Sequence, residues 1–357
     1  MKKLDWYIIR KFLGTFFFSI VLILSVAIVF DLTEKIDEFF ENQAPLKAII
    51  FDYYLPFIPY YMNMFSSLFI FISVIFFTSK LANNSEIIAM LSAGISFNRI
   101  MRPYMISATF LFLLFASLGG YVIPKATGRM LDFQDQYIQK FTSENARNIQ
   151  MKVEPGTILY IETFQKRSKT GYRCSYEHFE GKQLQMRITA DRIVYVEDNH
   201  WRIENYTRRT FNGLFEDVQK GHKLDTIIPI TPDELFITAE EAQEMNNQEL
   251  RQYIRRQTER GAGNTKAFET ELHRRFASPI GAFIMTLLAL SLSSRKVRGG
   301  MGKNLGIGIA LSAAYVLFST VSSTFSVTGA MSPFMAVWLP NFVFLAIGIY
   351  LYTKAPK

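Results

Sequence analysis

Long apolar runs dominate both ends of the chain, and a polar stretch with a different periodicity separates them. A membrane-crossing helix needs roughly 20 mostly apolar residues to span a hydrocarbon core of about 30 Å. Six segments meet that requirement: about 12–32, 55–79 and 104–123 in the first half, and 276–293, 305–325 and 334–352 in the second. Pro56 and Pro59 open the second span, Pro103 and Pro124 bracket the third, and Pro279 lies near the start of the fourth. Spans tolerate proline where neighbouring groups satisfy the freed carbonyls. The first run has a charged start like a secretory leader. From Phe12 to Leu32 it is too long for a leader's apolar core, and no small-residue cleavage site follows. It is therefore expected to remain as the first span.

Between the third and fourth spans the apolar period falls to two. The stretches "GTILYIETF", "YRCSYEHFE", "LQMRITADRIVYVED" and "HWRIENYTRRTF" alternate, with Leu184, Met186 and Ile188 on one face. Turn residues at Gly171, Gly181, Asp198-Asn199 and Asn212-Gly213 separate them. Short antiparallel strands at this spacing predict a sandwich or jelly roll. A helix through "RMLDFQDQYIQKF" opens this region. A second, about 239–260, closes it, with capping-box spacing at Thr238 and Glu241, an apolar stripe of Leu250, Tyr253 and Ile254, and a stop at Gly261. The predicted fold class is an integral membrane α-helical protein with six spans, three plus three, and an inserted all-β, jellyroll-like domain. The expected divisions are 1–124, 125–272 and 273–357.

Loop charge sets the expected orientation. Lys2, Lys3, Arg10 and Lys11 precede the first span. Lys80, Arg99 and Arg102 lie between the second and third, Arg295, Lys296, Arg298 and Lys303 between the fourth and fifth, and Lys354 and Lys357 end the chain. The first loop on the other side carries Glu34, Asp37, Glu38, Glu41 and Asp52 against Lys35 and Lys47. The positive-inside rule then puts both termini in the cytoplasm and the β domain outside, because long domains translocate regardless of charge.

That distribution also accounts for the composition. The 357 residues are 49% hydrophobic and carry a net charge of +8. The basic excess belongs to the membrane face, and no basic-aromatic nucleic-acid module is visible. The single cysteine, Cys174, excludes an intramolecular disulfide, and His178, His200, His222 and His273 lack metal-ligand spacing. The stretch "RGGMGK" is no Walker A loop, because positions 297 and 304 are Val and Asn. No ionisable residue falls in the middle of a span, so an ion-coupled carrier lacks its usual site. Energy for any work is expected from a partner.

The stretch "NNSEIIAMLSAGIS" between the second and third spans is too short and polar to cross. Asn83, Asn84 or Ser85 can cap a helix, Glu86 then lies in its first turn, and Gly94 suits its end. The apolar Ile87, Ile88, Met90 and Leu91 can lie on the bilayer surface or fill a groove on another protein. In the fifth span Gly306, Ala310 and Ala314 recur every four residues, a pattern that packs helices closely, within this chain or against a second subunit.

Several segments, in their order, resemble one family. "NSEIIAMLSAGIS" is similar to its Ser-Glu, helix, Ala-Gly signature, and "LDWYIIRKFLGTF" to its amphipathic start. "ITPDELFI" and "ELRQYIRR" are similar to the close of its β-jellyroll and the helix that follows. "LHRRFASPIGAFIMTLLALSL" and "VWLPNFVFLAIGIYL" are similar to its fourth and sixth spans. The chain resembles the LptF/LptG permease family, the transmembrane half of the lipopolysaccharide exporter, over essentially its whole length. The resemblance implies a non-catalytic transport subunit in a Gram-negative inner membrane. It implies pairing with a related permease subunit, in a hetero- or homo-dimer, over an LptB-type ATPase dimer that uses the ATP and Mg; this chain is expected to bind no cofactor itself. It implies that Ser85, Glu86, Ile87, Met90, Leu91 and Gly94 belong to an ATPase-coupling helix, and that Gly306, Ala310 and Ala314 lie at a lateral gate or subunit seam. The lipid route is expected along Phe30, Lys35, Tyr160, Met186, Ile188 and Trp201, toward periplasmic bridge proteins. One departure from the family is that Lys35 stands alone among acids at the outer end of the first span. A membrane enzyme acting on lipid or glycan, and a subunit that transmits force without moving lipid, are the competing classes.

Overall fold

The computed structural model describes residues 3–138, 145–165, 168–213, 215–235, 241–259, 265–294 and 300–355. Lys2, Thr238, Gly261, Arg295, Lys296, Arg298 and Lys357, invoked above for topology and helix ends, lie outside them. The chain divides into two compact units. One comprises Met1–Ile138, Gln243–Asn247 and Lys266–Lys357; the other comprises Gln139–Ala242 and Gln248–Thr265.

The first unit is helical. Helix α1 (Lys3–Glu41) is followed by α2 (Leu46–Ala48), a π-helical segment (Ile49–Tyr54), α3 (Leu55–Met64) and α4 (Ser66–Asn83). Then come the short α5 (Glu86–Ser92), α6 (Phe97–Ser117), a second π segment (Leu118–Val122) and α7 (Ile123–Tyr137). Among the described residues six helices are long and apolar enough to cross a membrane. Pro103 and Pro124 were expected to bracket the third span, yet the helix runs through both. Pro124 supplies no N–H to the carbonyl four residues back, and the chain answers with a wider turn in which the Ile123 N–H donates to the Leu118 carbonyl. The same device precedes Pro56 and Pro59, where the Leu55 N–H reaches Ile50. Helix α7, expected to open the β insert, instead packs in the helical unit through Met130 and Phe133, against Phe39, Tyr53 and Phe57.

Beyond the sheet, α8 (Pro232–Leu235), α9 (Glu241–Glu244) and α10 (Asn247–Glu259) lead to α11 (Lys266–Ser293), α12 (Gly300–Val327) and α13 (Pro333–Lys354). Because α12 already starts at Gly300, Gly302 and Lys303 sit on a helix and form no phosphate loop. The most buried spans are α4 and α11, whose Phe71, Val74 and Ile75 and Met285, Leu288 and Ala289 belong to one core. Buried polar side chains tie the neighbours together. The Tyr315 hydroxyl of α12 donates to Asn341 Oδ1 of α13 at 2.7 Å, and Asn341 Nδ2 donates to the Ala277 carbonyl of α11 at 3.0 Å. Away from water such bonds replace the missing hydrophobic drive between helices. By contrast α1 and α12 each bury only 22% of their apolar windows, so most of their surface is left for lipid or protein.

The second unit holds the expected β insert, together with α8 and most of α10. Strands β1 (Asn145–Glu154), β2 (Thr157–Gln165), β3 (Thr170–Glu180), β4 (Gln183–Glu197), β5 (His200–Asn212) and β6 (Phe215–Ile227) form one antiparallel sheet in sequential order. Asp198 and Asn199 both take positive φ, as a two-residue hairpin turn requires. Gly171, expected in a turn, lies inside β3. A Cβ there would stand 2.6 Å from Ile193 and 2.9 Å from Ile161, so the core approaches its backbone too closely for any side chain.

A crease crosses the whole sheet. Every ladder skips one pair at the same level, and the skipped residues are Asn148, Glu162, Arg173, Asp191, Asn205 and His222, one on each strand. On β1, β3 and β5 the creased residue takes positive φ: 53° at Asn148, 52° at Arg173 and 50° at Asn205. Such local irregularity bends strands and resets which side chains face inward. Ile161 and Phe164 flank the crease on β2 and both point into the core with Ile193, Trp201 and Ile203. Trp201 is fully buried, and its Nε1–H donates to the Ile230 carbonyl at 3.1 Å.

Cys174 belongs to the same core, and burial pushes its thiol up to about 12. Only the thiolate attacks labelling reagents. Native protein at pH 8 is therefore expected to resist maleimide at Cys174 and to label fully in denaturant. In a Cys174→Ala background, Val196→Cys on an exposed part of β4 is expected to label without denaturant. Rapid labelling of native Cys174 would contradict this core.

Candidate functional site

Helix α5 is bounded at each end by a residue of positive φ. Ser85 precedes it with φ of 61° and makes no side-chain capping bond. The neighbouring amide of Asn84 instead donates to Glu86 Oε1 at 3.1 Å. At the far end Gly94, at φ of 79°, closes the helix. The Gly94 N–H donates to the Leu91 carbonyl and the Ile95 N–H to the Met90 carbonyl, at 3.0 and 3.1 Å. These two bonds are a Schellman closure, and its positive φ suits glycine.

The seven residues present two faces. Ile87 is 1% exposed and packs in the main core, with Met90 and Leu91 partly buried beside it. Ile88 is 50% exposed, and Ala89, Ser92 and Ala93 share its open side. Of the six residues assigned to coupling by resemblance, Ile87, Met90 and Leu91 thus face the chain's own core, while Glu86 and Ser85 border the open face. Ile88 was read as one of four apolar residues without a direction. The helical period separates 87, 90 and 91 from 88, 89 and 92, but a seven-residue helix does not say which side is inward.

The stripe on α12 is also outward. Gly306, Ala310 and Ala314 are exposed, and the packing side of the helix is formed instead by Asn304, Gly308, Ser312 and Tyr315. Asn304 Nδ2 donates to Ser79 Oγ at 3.3 Å, and a Cβ on Gly308 would fall 2.3 Å from Ile75. The small residues of the stripe are therefore not used within the chain.

The lipid-route residues are scattered. Phe30 is 73% exposed on α1. Lys35 is engaged: its ammonium lies 2.7 Å from Asp31 Oδ1 and bonds the Tyr53 hydroxyl, while the Tyr54 hydroxyl donates to the other Asp31 oxygen at 3.3 Å. Met186 and Ile188 share the inner face of the sheet with Trp201, and Tyr160 lies on the opposite face. That outer face holds a polar cavity of about 540 Å³ lined by residues including Glu162, Arg173, Glu177 and Arg187. Arg173 pairs within it with Glu162, and Arg187 with Glu177 at 2.9 Å, and Asp191 lines it as well. Among the described residues no three His, Cys, Asp or Glu side chains are grouped to hold a metal.

Residues 6–354 match the family model described as lipopolysaccharide export system permease LptF/LptG. Relatives include the lipopolysaccharide export system permease protein LptG of Escherichia coli strain K12 and that of strain CFT073. Each is 20% identical over 277 residues, covering 77% of this chain and 77% of theirs. Six membrane-length helices among the described residues, with an antiparallel sheet inserted in the sequence between the third and the fourth, agree with that match, and the chain belongs to the LptF/LptG family of lipopolysaccharide export permeases.

Proposed function

We propose that this chain is the permease subunit of an ABC-type exporter that draws lipopolysaccharide from a Gram-negative inner membrane and passes it to a periplasmic bridge. A separate cytoplasmic ATPase dimer of the LptB type binds ATP and Mg and docks on α5. The observation that carries this reading is the division of α5 itself. One face is embedded in the chain's own core, and the other leaves Ile88 bare beside a carboxylate. A short helix of that kind fits a groove on another protein. Both termini and α5 are cytoplasmic in this reading, and the sheet is periplasmic. The exposed stripe of α12 and the exposed side of α1 meet a related permease subunit and the lipid. Acyl chains follow the inner face of the sheet past Met186 and Ile188, where Trp201 serves as a fixed wall.

The test is purification of the tagged chain from its native membrane in mild detergent, with mass spectrometry of proteins and lipids. The expected result is an ATP-binding partner, a second permease chain and a phosphorylated glycolipid. When reconstituted with lipopolysaccharide, the complex should release it only with ATP. Recovery of the chain without an ATPase, or lipid release independent of ATP, would overturn the proposal.

A further inference from the structure

The end of the helical unit that carries α5 also holds an ion pair with unusual placement. Arg99 lies in the first turn of α6, where the helix dipole disfavours a cation. Its Nη1 and Nη2 donate to Oδ1 and Oδ2 of Asp5, at 2.6 and 2.8 Å. Asp5 lies in the first turn of α1 and is 5% exposed. The position of Arg99 is thus accounted for by its partner on another helix and not by its own.

Only Gly94, Ile95 and Ser96 separate the C-cap of α5 from α6. That joint has little slack, because Ile95 is bonded back to Met90, and Ser96 accepts from the Arg99 N–H at 2.9 Å. A displacement of α5 is therefore carried into the first turn of α6. Apart from Asp5, what α1 buries at this end is apolar: Ile8, Ile9 and Phe12, with the Phe12 ring 6.0 Å from that of Tyr104 on α6. Apolar contact is non-directional and permits sliding, whereas two parallel guanidinium–carboxylate bonds fix register.

We propose that Asp5 and Arg99 form a transmission clasp: positioning residues that make α1 follow the docking helix when the ATPase moves it. The proposal rests on the reading of α5 as the ATPase dock. It adds that force reaches α1 through this pair and not through bulk packing.

The test uses the whole complex, reconstituted in proteoliposomes with purified lipopolysaccharide. Asp5→Asn and Arg99→Gln are compared with the charge-swapped pair Asp5→Arg with Arg99→Asp. Each single variant is expected to keep ATPase co-purification and ATP hydrolysis within about twofold, while lipid released per ATP falls about tenfold, the scale of a typical coupling energy. The swapped pair is expected to regain most of that yield. An unchanged yield in the single variants overturns the clasp. So does a parallel loss of docking and thermal stability, which marks a purely structural pair, and so does a swap that recovers nothing. Absence of the ATPase from the wild-type complex overturns the docking reading as well, and that outcome is distinguished by docking in the wild type alone.

Discussion

Ile88→Asp is expected to release the ATPase while leaving the fold intact, and Ile87→Asp, one residue earlier, is expected to damage the fold itself. The two side chains are chemically identical and adjacent in sequence. Ile88 is half exposed on the open face of α5, and Ile87 is sealed in the main core. At a docked apolar anchor, loss of the contact and burial of a carboxylate together cost about 2 kcal/mol or more, roughly thirtyfold in affinity. At position 87 an unpaired carboxylate would enter an apolar cluster, costing several kcal/mol or forcing the helix out of its seat. Co-purification and thermal unfolding in detergent separate the two effects. Retention of the ATPase by Ile88→Asp would remove α5 from the interface.

A second large stability effect is expected at Arg275. This buried cation near the start of α11 donates to Glu271 Oε1 at 3.0 Å, the Met245 carbonyl at 2.7 Å, Asn247 Oδ1 at 3.0 Å and the Gln243 carbonyl at 3.2 Å. Its guanidinium therefore holds the whole returning segment 243–247 in the helical unit. Arg275→Met takes the donor from the Met245 and Gln243 carbonyls and from Asn247 Oδ1, while Glu271 keeps Arg274 at 2.6 Å, so the loss is expected at the low end for a buried charged network, about 3 kcal/mol. For a unit of this size the midpoint of thermal unfolding is expected to fall by about 10 °C. Arg275→Lys keeps the charge but gathers its donors on one nitrogen, so an intermediate loss is expected. A shift under about 2 °C for the methionine variant would show that segment 243–247 is held by other contacts.

The six spans were legible because hydropathy over some twenty residues depends little on tertiary detail. The prolines were not. Pro103 and Pro124 were read as brackets, yet Pro103 sits inside α6 and a π turn absorbs the missing N–H of Pro124, neither of which sequence gives. The alternation in "GTILYIETF" and "LQMRITADRIVYVED" announced strands, yet the crease at Glu162 and Asp191 stayed hidden. A skipped pair is a property of two strands in register, and no single strand encodes it. Gly171 was mistaken for a turn for the same reason: the need for glycine comes from Ile193 and Ile161, distant in sequence. Arg275 and the Asp5–Arg99 pair were invisible as partners, because charge near a span end reads first as topology. Lys35 was visible as an isolated base among acids, and its capture by Asp31 and Tyr53 required the fold.

The crease gives the sheet one degree of freedom that its ladders do not oppose. Pairing is already interrupted along a single line through all six strands, so the two leaves on either side can change their dihedral without losing a paired residue in either leaf. The interior width then varies like the opening of a book whose spine runs across the strands. What resists that hinge is the core, where Ile161 and Phe164, on opposite sides of the spine, both crowd Gly171 together with Ile193.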